Sequence, residues 1–259
     1  MKKVMFAAAV AAGLVAFGDS SIESQNIVGY NTIPSISQGQ YVALGVQFEN
    51  CNGGAIPVKD LIQVGSIQGS AAMGVADQIW RWNTASAAWT KYYYYSSRGV
   101  TRWVVSTDTT KETTDTVPAG ETVFFLRMGN AATSLTLSGA VKVMEGASSV
   151  TVTQGQLAFM ANPWPSPVSI ASFNSNYATG STPQGSAAMG VADQIWRWNT
   201  ATASWTKYYY YSSRGVTRWV ESTDTTKETT DTIPAGEGFF FQRMGNAAAT
   251  ISIAAPAAN

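Results

Sequence analysis

Histidine is absent from these 259 residues, cysteine occurs once, and Asp, Glu, Lys and Arg together make up only 12%. Each shortage removes a class of function. Without histidine there is no Ser-His-Asp or Cys-His catalysis and no ordinary zinc site. Cys51 is the only cysteine, so no internal disulfide can form and stability has to come from packing. In "ENCNGG" it reads as a small buried or partly buried residue of a turn, since free cysteine is commonly buried, with a bridge between two chains as the alternative. Sixteen basic and 16 acidic side chains cancel, which leaves no basic field for nucleic acid. No glycine-rich phosphate loop precedes a helical pattern, so nucleotide binding has no support.

One apolar run stands at the start, "MKKVMFAAAVAAGLVAFGDS". Lys2 and Lys3 precede apolar Val4–Phe17, and Ala16-Phe17-Gly18 offers small residues to a signal peptidase. The run is shorter than the roughly 20 residues of a membrane span. Residues 1–18 therefore read as a signal peptide, with no membrane span after cleavage. Loss of the two lysines leaves 14 basic against 16 acidic side chains. No cysteine follows the run, which argues against a lipid anchor.

What is abundant is repetition. Gln68–Ala132 and Gln184–Ala248 align at a constant offset of 116, with seven differences among 65 pairs and 58 identities. The differing pairs are Ser86/Thr202, Ala88/Ser204, Val105/Glu221, Val117/Ile233, Thr122/Gly238, Val123/Phe239 and Leu126/Gln242. "QGQ" at Gln38 returns at Gln154 by the same offset. A unit of about 116 residues can bury its own core and is longer than a solenoid repeat. The chain divides into the signal peptide, a first β-domain over 19–146 and a second over 147–259.

The periodicity inside each unit is that of strands. "DQIWRWN" puts Trp80 and Trp82 on one face and Ile79 and Arg81 on the other. "WTKYYYYS" sets Trp89, Tyr93 and Tyr95 opposite Tyr92 and Tyr94. "GVTRWVVS", "ETVFFLRM" and "TSLTLSG" continue the pattern, and Val58–Ile62 allows one helical turn. The fold class predicted is all-β: two tandem, homologous, sandwich-like domains from an internal duplication, joined near Gly146–Ser149.

"FMANPWPSPVSIASF" (Phe159–Phe173), "QIWRWN" and "IPAGEGFFF" (Ile233–Phe241) together carry a resemblance. The chain resembles a β-module that recurs in secreted bacterial surface proteins. Its pattern is an Asn-Pro-aromatic-Pro-Ser-Pro turn, an Ile-x-x-Trp strand and a Pro-Ala-Gly-x-Gly-Phe-Phe strand entry. The resemblance covers most of the second unit. The first departs from it, with "LGVQFENCNGGAIPV" in place of the proline turn and "AGETVFF" without the second glycine. It implies a β fold and an extracellular location, and no chemistry.

Candidate sites are few. Asp108, Glu112 and Asp115, with Asp224, Glu228 and Asp231, are the carboxylates close enough in sequence for acid–base pairs. Their Thr-rich setting, "STDTTKETTDT", reads as a solvated loop, and no calcium-loop spacing occurs there. No catalytic residue, metal ligand or cofactor is expected.

Aromatic residues are the remaining signal, since eight of nine tryptophans fall in the repeated segments. A run of four tyrosines puts two rings on each face of a strand. One pair is expected in the core and one accessible. The ligand or interface candidates are Trp80, Trp82, Tyr92, Tyr94 and Trp103, with their copies Trp196, Trp198, Tyr208, Tyr210 and Trp219. Accessible rings of this kind suit sugar stacking or protein contacts. Val105/Glu221 and Leu126/Gln242 make the second unit more polar on the side shared with Trp103/Trp219 and Phe124/Phe240, as if the first were covered there by a neighbour. Val143 corresponds by offset to Ile27 in "NIVGYNTI", and no such strand follows "ATISIAAPAAN". The N-terminal strand of another copy is therefore expected to fill that place by strand addition, the alternative being that Asn26–Ile33 completes its own first domain, with Ile27, Val28, Tyr30, Val105 and Leu126 as assembly candidates. The function expected is that of a secreted, non-enzymatic surface or extracellular structural protein, self-assembling head-to-tail into an open fibre. Its partners would be other copies of itself or cell-surface components. The alternative is a bivalent carbohydrate-binding protein using its Tyr/Trp faces on glycans.

Overall fold

The structure, a computed structural model, describes residues 28–64, 67–141 and 149–253. The signal-peptide reading, the assembly candidate Ile27 and the domain boundary after residue 146 lie outside the described residues.

The chain is all-β, as its alternating patterns predict. The first unit comprises β1 (Val28–Ile36), β2 (Tyr41–Gly45), β3 (Phe48–Glu49), β4 (Ile56–Pro57), β5 (Gln63–Val64) and β6 (Gln78–Asn83), followed by β7 (Ala88–Ser97), β8 (Val100–Val105), β9 (Thr116–Val117), β10 (Thr122–Leu126) and β11 (Thr133–Val141). The second comprises β12 (Ser149–Val152), β13 (Leu157–Ala161), β14 (Val168–Ser169), β15 (Gln194–Asn199), β16 (Ser204–Ser213), β17 (Val216–Glu221), β18 (Thr232–Ile233), β19 (Gly238–Gln242) and β20 (Ala249–Ser252). The expected turn near Val58 is a short 3-10 helix, Val58–Asp60.

Each unit is built on an antiparallel five-stranded sheet, β2-β10-β6-β7-β8 in the first and β13-β19-β15-β16-β17 in the second. One face of the first sheet packs on the layer β1-β11-β3, and in the second unit the shorter pair β12-β20 takes that place. Between the layers lie Leu44, Ile79, Tyr92, Trp103, Phe125 and Leu135 in the first unit. Ile195, Tyr208, Trp219, Phe239, Phe241 and Ile251 fill the second, with Phe173 from the turn after the prolines.

The tyrosine strand does not divide into a buried and an accessible pair. Tyr92 and Tyr94 belong to the inner face. On the outer face Tyr93 and Tyr95 are roofed by Met73 and Ala76 of the preceding loop. Both faces of this strand end are covered, so the expected accessible pair is corrected. The ligand candidates Tyr92, Tyr208, Trp103 and Trp219 are core residues, none more than 2% exposed. Alternation gives the face of a residue, and what covers that face depends on chain folded over it from elsewhere.

Local chemistry shapes the ends of the strands. The hairpin β7–β8 turns on Arg98-Gly99, both at positive φ (52° and 79°), and β16–β17 repeats it at Arg214-Gly215. This pair of left-handed residues matches the twist of antiparallel strands. The polar stretch after β8 runs back along that strand's free edge. Thr113 N–H donates to the Trp103 carbonyl at 2.9 Å, and Arg102 donates to the Thr109 carbonyl at 2.9 Å. The copy does the same, with Thr229 N–H on the Trp219 carbonyl. Both outer edges are thereby guarded against pairing with other chains. At the other margin β1 is an edge strand, hydrogen-bonded among the described residues to β11 on one side only.

Candidate functional site

The faces left over by the two cores meet each other. Trp80, Trp82 and Trp89 of the first sheet, and Trp196, Trp198 and Trp205 of the second, close around Phe124, Phe159 and Phe240 in one aromatic cluster. Phe159 stacks on Phe240 with ring centres 4.3 Å apart and planes 16° apart. Most other pairs are edge-on, including Trp82 on Phe240 at 5.5 Å and Phe124 on Trp198 at 5.5 Å. Such pairs are worth about 0.5–1.5 kcal/mol each beyond their burial. Lys91 and Lys207 each lay an ammonium 3.9 Å from the ring centre of Trp80 or Trp196. The candidates Trp80, Trp82, Trp196 and Trp198 are thus brought together, as the partners of one another, while Trp103 and Trp219 stay in their separate cores.

This seam has an approximate twofold axis. The Trp82 indole N–H donates to the Leu157 carbonyl at 2.7 Å, and the Trp198 N–H to the Tyr41 carbonyl at 2.8 Å. Leu157 and Tyr41 are themselves 116 residues apart. Gly45 N–H reaches the Gly236 carbonyl at 3.0 Å, and Ala161 N–H reaches Gly120 at 2.9 Å, again a matched pair. Reciprocal contacts of this kind define an isologous interface, here closed within one chain.

Where the axis brings equal positions together, the units differ. Thr122 is fully buried and donates its hydroxyl to the Met160 carbonyl, and a side chain at its counterpart Gly238 would overlap it. A Cβ at Gly45 would fall 2.8 Å from that of Ala161. One of the seven differences between the copies is therefore a steric requirement of the seam.

The other candidates are placed as follows. Tyr94 and Tyr210 are half-buried, with rings 5.5 Å from Trp103 and Trp219. Val105 packs on its own unit's core, and Leu126 is buried on the opposite face of the sheet. No neighbouring copy is needed to cover either, and they do not share one side, which corrects that expectation. Val28 pairs with Ala140 in the β1–β11 ladder, so from Val28 on the N-terminal strand completes its own unit instead of being free for donation to another copy, which corrects that expectation; Tyr30 on the same strand is 77% exposed. Cys51 is exposed.

The loop carboxylates act as local braces. Asp115 and Asp231 accept the hydroxyls of Tyr92 and Tyr208. Burial, together with those carboxylates, pushes both phenols above their ordinary value of 10.0. Asp108 caps its own turn, and hydrogen bonds from Thr110 hold its carboxyl below the usual range. Among the described residues no three His, Cys, Asp or Glu side chains gather as a metal site, and no helix is long and apolar enough to cross a membrane.

Sequence reasoning missed the buried ions. Asp77 is fully buried, pairs with Arg127 and accepts N–H groups from Gln68, Met128 and Gly129, and Asp193 with Arg243 repeats this. It also missed Asn162, whose side chain holds the proline turn by donating to the Ser166 and Ile233 carbonyls at 2.8 and 3.0 Å. The asparagine of the turn motif was the available signal.

Openings flank the seam. A cleft of about 540 Å³ is lined by Arg81, Trp82, Asn83, Thr84, Thr90 and Glu121, and by Ser149 and Phe159 of the second unit. Arg81 binds Glu121 through two N–H groups, at 2.6 and 2.9 Å, and that bond raises the guanidinium pKa further. The pair neutralises itself, so this cleft is polar without a net charge. A smaller cavity of about 200 Å³ is walled by Tyr41, Trp80, Trp89, Phe124, Trp198 and Trp205. No family model, no curated protein and no solved structure matches this chain.

Proposed function

We propose that this protein is a secreted, non-enzymatic structural component of a cell surface or extracellular matrix. The observation that carries the reading is the aromatic seam. Two faces rich in tryptophan, which apart would be two binding platforms, are used up against each other. Repetition therefore yields one stiff block whose outer strand edges are guarded. Self-assembly belongs to the same reading, with β1 as the place for strand addition, because its outer side has no ladder partner among the described residues and it carries exposed Tyr30. Electron microscopy of native secreted material tests this: filaments or a lattice are expected, thinned out by Tyr30→Lys. Dispersed single particles at all concentrations, for both proteins, would sink the assembly reading.

A second reading, binding of neutral glycans, is favoured by the large cleft. There Trp82 stands beside Asn83, Thr84, Thr90 and the self-neutralised Arg81–Glu121 pair. A glycan array with wild type and Asn83→Ala decides it. Specific binding lost in the variant supports this reading, and an empty array removes it.

A further inference from the structure

We propose that the seam is also a coupling site for a second copy of this chain, at which two copies exchange units. The first unit of one copy closes on the second unit of the other, and the reverse. The contacts that close the seam lie on the two units themselves. The aromatic cluster, the Trp82 and Trp198 bonds, and the backbone bonds Gly45–Gly236 and Ala161–Gly120 join the two sheets and their turns. Each unit keeps a core of its own. A second unit supplied by another chain therefore offers a first unit the same contacts.

The seam also selects its partner. A side chain at 238 would overlap the Thr122 methyl, and a Cβ at 45 would fall 2.8 Å from that of Ala161. Two first units would meet with Thr122 against Thr122, and two second units with Ala161 against Ala161. Each like pairing thus meets an overlap on the axis, which a close-packed interior does not absorb without shifting backbone. Gln47 adds a bond that needs unlike units. Its side-chain N–H donates to the Trp164 carbonyl at 3.1 Å, and its counterpart in the second unit is Pro163, which has no such donor. Copies that couple here do so in one order, first unit to second.

Closure within one chain has the advantage of proximity. β11 ends at Val141 and β12 begins at Ser149, and a short connection sets an effective concentration of the order of millimolar. Exchange therefore belongs to crowded chains, and to chains that fold side by side before their own halves have met. The product is a pair of chains with two seams. This coupling rests on the seam alone and on neither reading above.

The test uses two full-length variants, Gly238→Thr and Thr122→Gly, which carry threonine and glycine respectively at both axis positions. They are denatured and refolded together, and native mass spectrometry tells the two chains apart. Both seams of a mixed dimer set one threonine against one glycine. A mixed dimer at least about tenfold more abundant than either like dimer is expected. Wild type refolded at rising concentration is expected to give a dimer whose share grows. Association through β1 would not discriminate and would give like and mixed dimers equally. The proposal is overturned by any of three results: no mixed dimer, like dimers as abundant as the mixed one, or wild type that stays a single chain at every concentration. Should Gly238→Thr not fold alone, refolding with Thr122→Gly is expected to rescue it into the soluble mixed dimer, and no rescue overturns the proposal.

Discussion

Thr122 and Gly238 show how much can hang on one pair of side chains. They occupy equivalent places in two nearly identical sheets, yet the axis of the seam brings them into contact, and only one can carry a side chain. Gly238→Thr should cost about 1–3 kcal/mol through overpacking, measured by denaturant unfolding. Adding Thr122→Gly to it should recover most of that loss, because the hydroxyl then has Leu44, the counterpart of Met160, as its acceptor. A double variant no more stable than the single one would refute the symmetry argument. The buried Asp77–Arg127 pair is the other residue-scale determinant. Asp77→Ala leaves a guanidinium without its carboxylate in the interior and should cost about 3–5 kcal/mol. Asp193→Ala should do the same in the second unit, a comparison that thermal melts can make.

At the scale of elements, the strand KYYYYSS is a proton-linked part of the fold. Tyr92 and Tyr208 have folded pKa values raised above an ordinary 10.0, so they bind protons more tightly folded than unfolded. Their contribution is complete below about pH 10 and is lost as pH rises through the folded values. Stability should therefore fall steeply in alkali, and Tyr92→Phe with Tyr208→Phe should flatten that fall. With no histidine in the chain, no histidine step should interrupt the stability profile near neutrality. Denaturant titrations across pH check both statements.

The strands themselves were legible in the sequence. The two-residue period of "DQIWRWN" placed Ile79 and Trp80 on opposite faces, and the structure agrees. What covered those faces was not legible, for a physical reason. Whether Tyr93 meets solvent depends on Ala76 folding back over it, and whether Trp82 does depends on a carbonyl 75 residues away. Periodicity is a local property and burial is a tertiary one. The same limit explains the polar stretch after β8, which reads as an idle loop but laces a sheet edge. A lone aspartate such as Asp77 gives no sign in sequence that an arginine 50 positions on will enclose it.

Over the whole molecule, the seam makes two cores into one body. Trp82 and Trp198 each bond a carbonyl of the other unit, so either Trp→Ala change should cost about 3–5 kcal/mol. The two losses should be nearly equal, because the contacts are reciprocal. Calorimetry should show one unfolding transition for wild type and a separation into two for the double variant. A single unchanged transition in the double variant would mean that the units do not depend on the seam.

The near-identity of the halves has a consequence for inheritance. Long identical stretches in one gene invite exchange between its two copies, and each exchange tends to erase differences. At most paired positions such copying would be silent in the protein. At 122 and 238 it would place two threonines, or two glycines, on the axis, and at 43 and 159 it would crowd or empty the centre of the seam. The halves of this chain can drift towards each other almost everywhere, but at a few codons they have to remain different in order to fit.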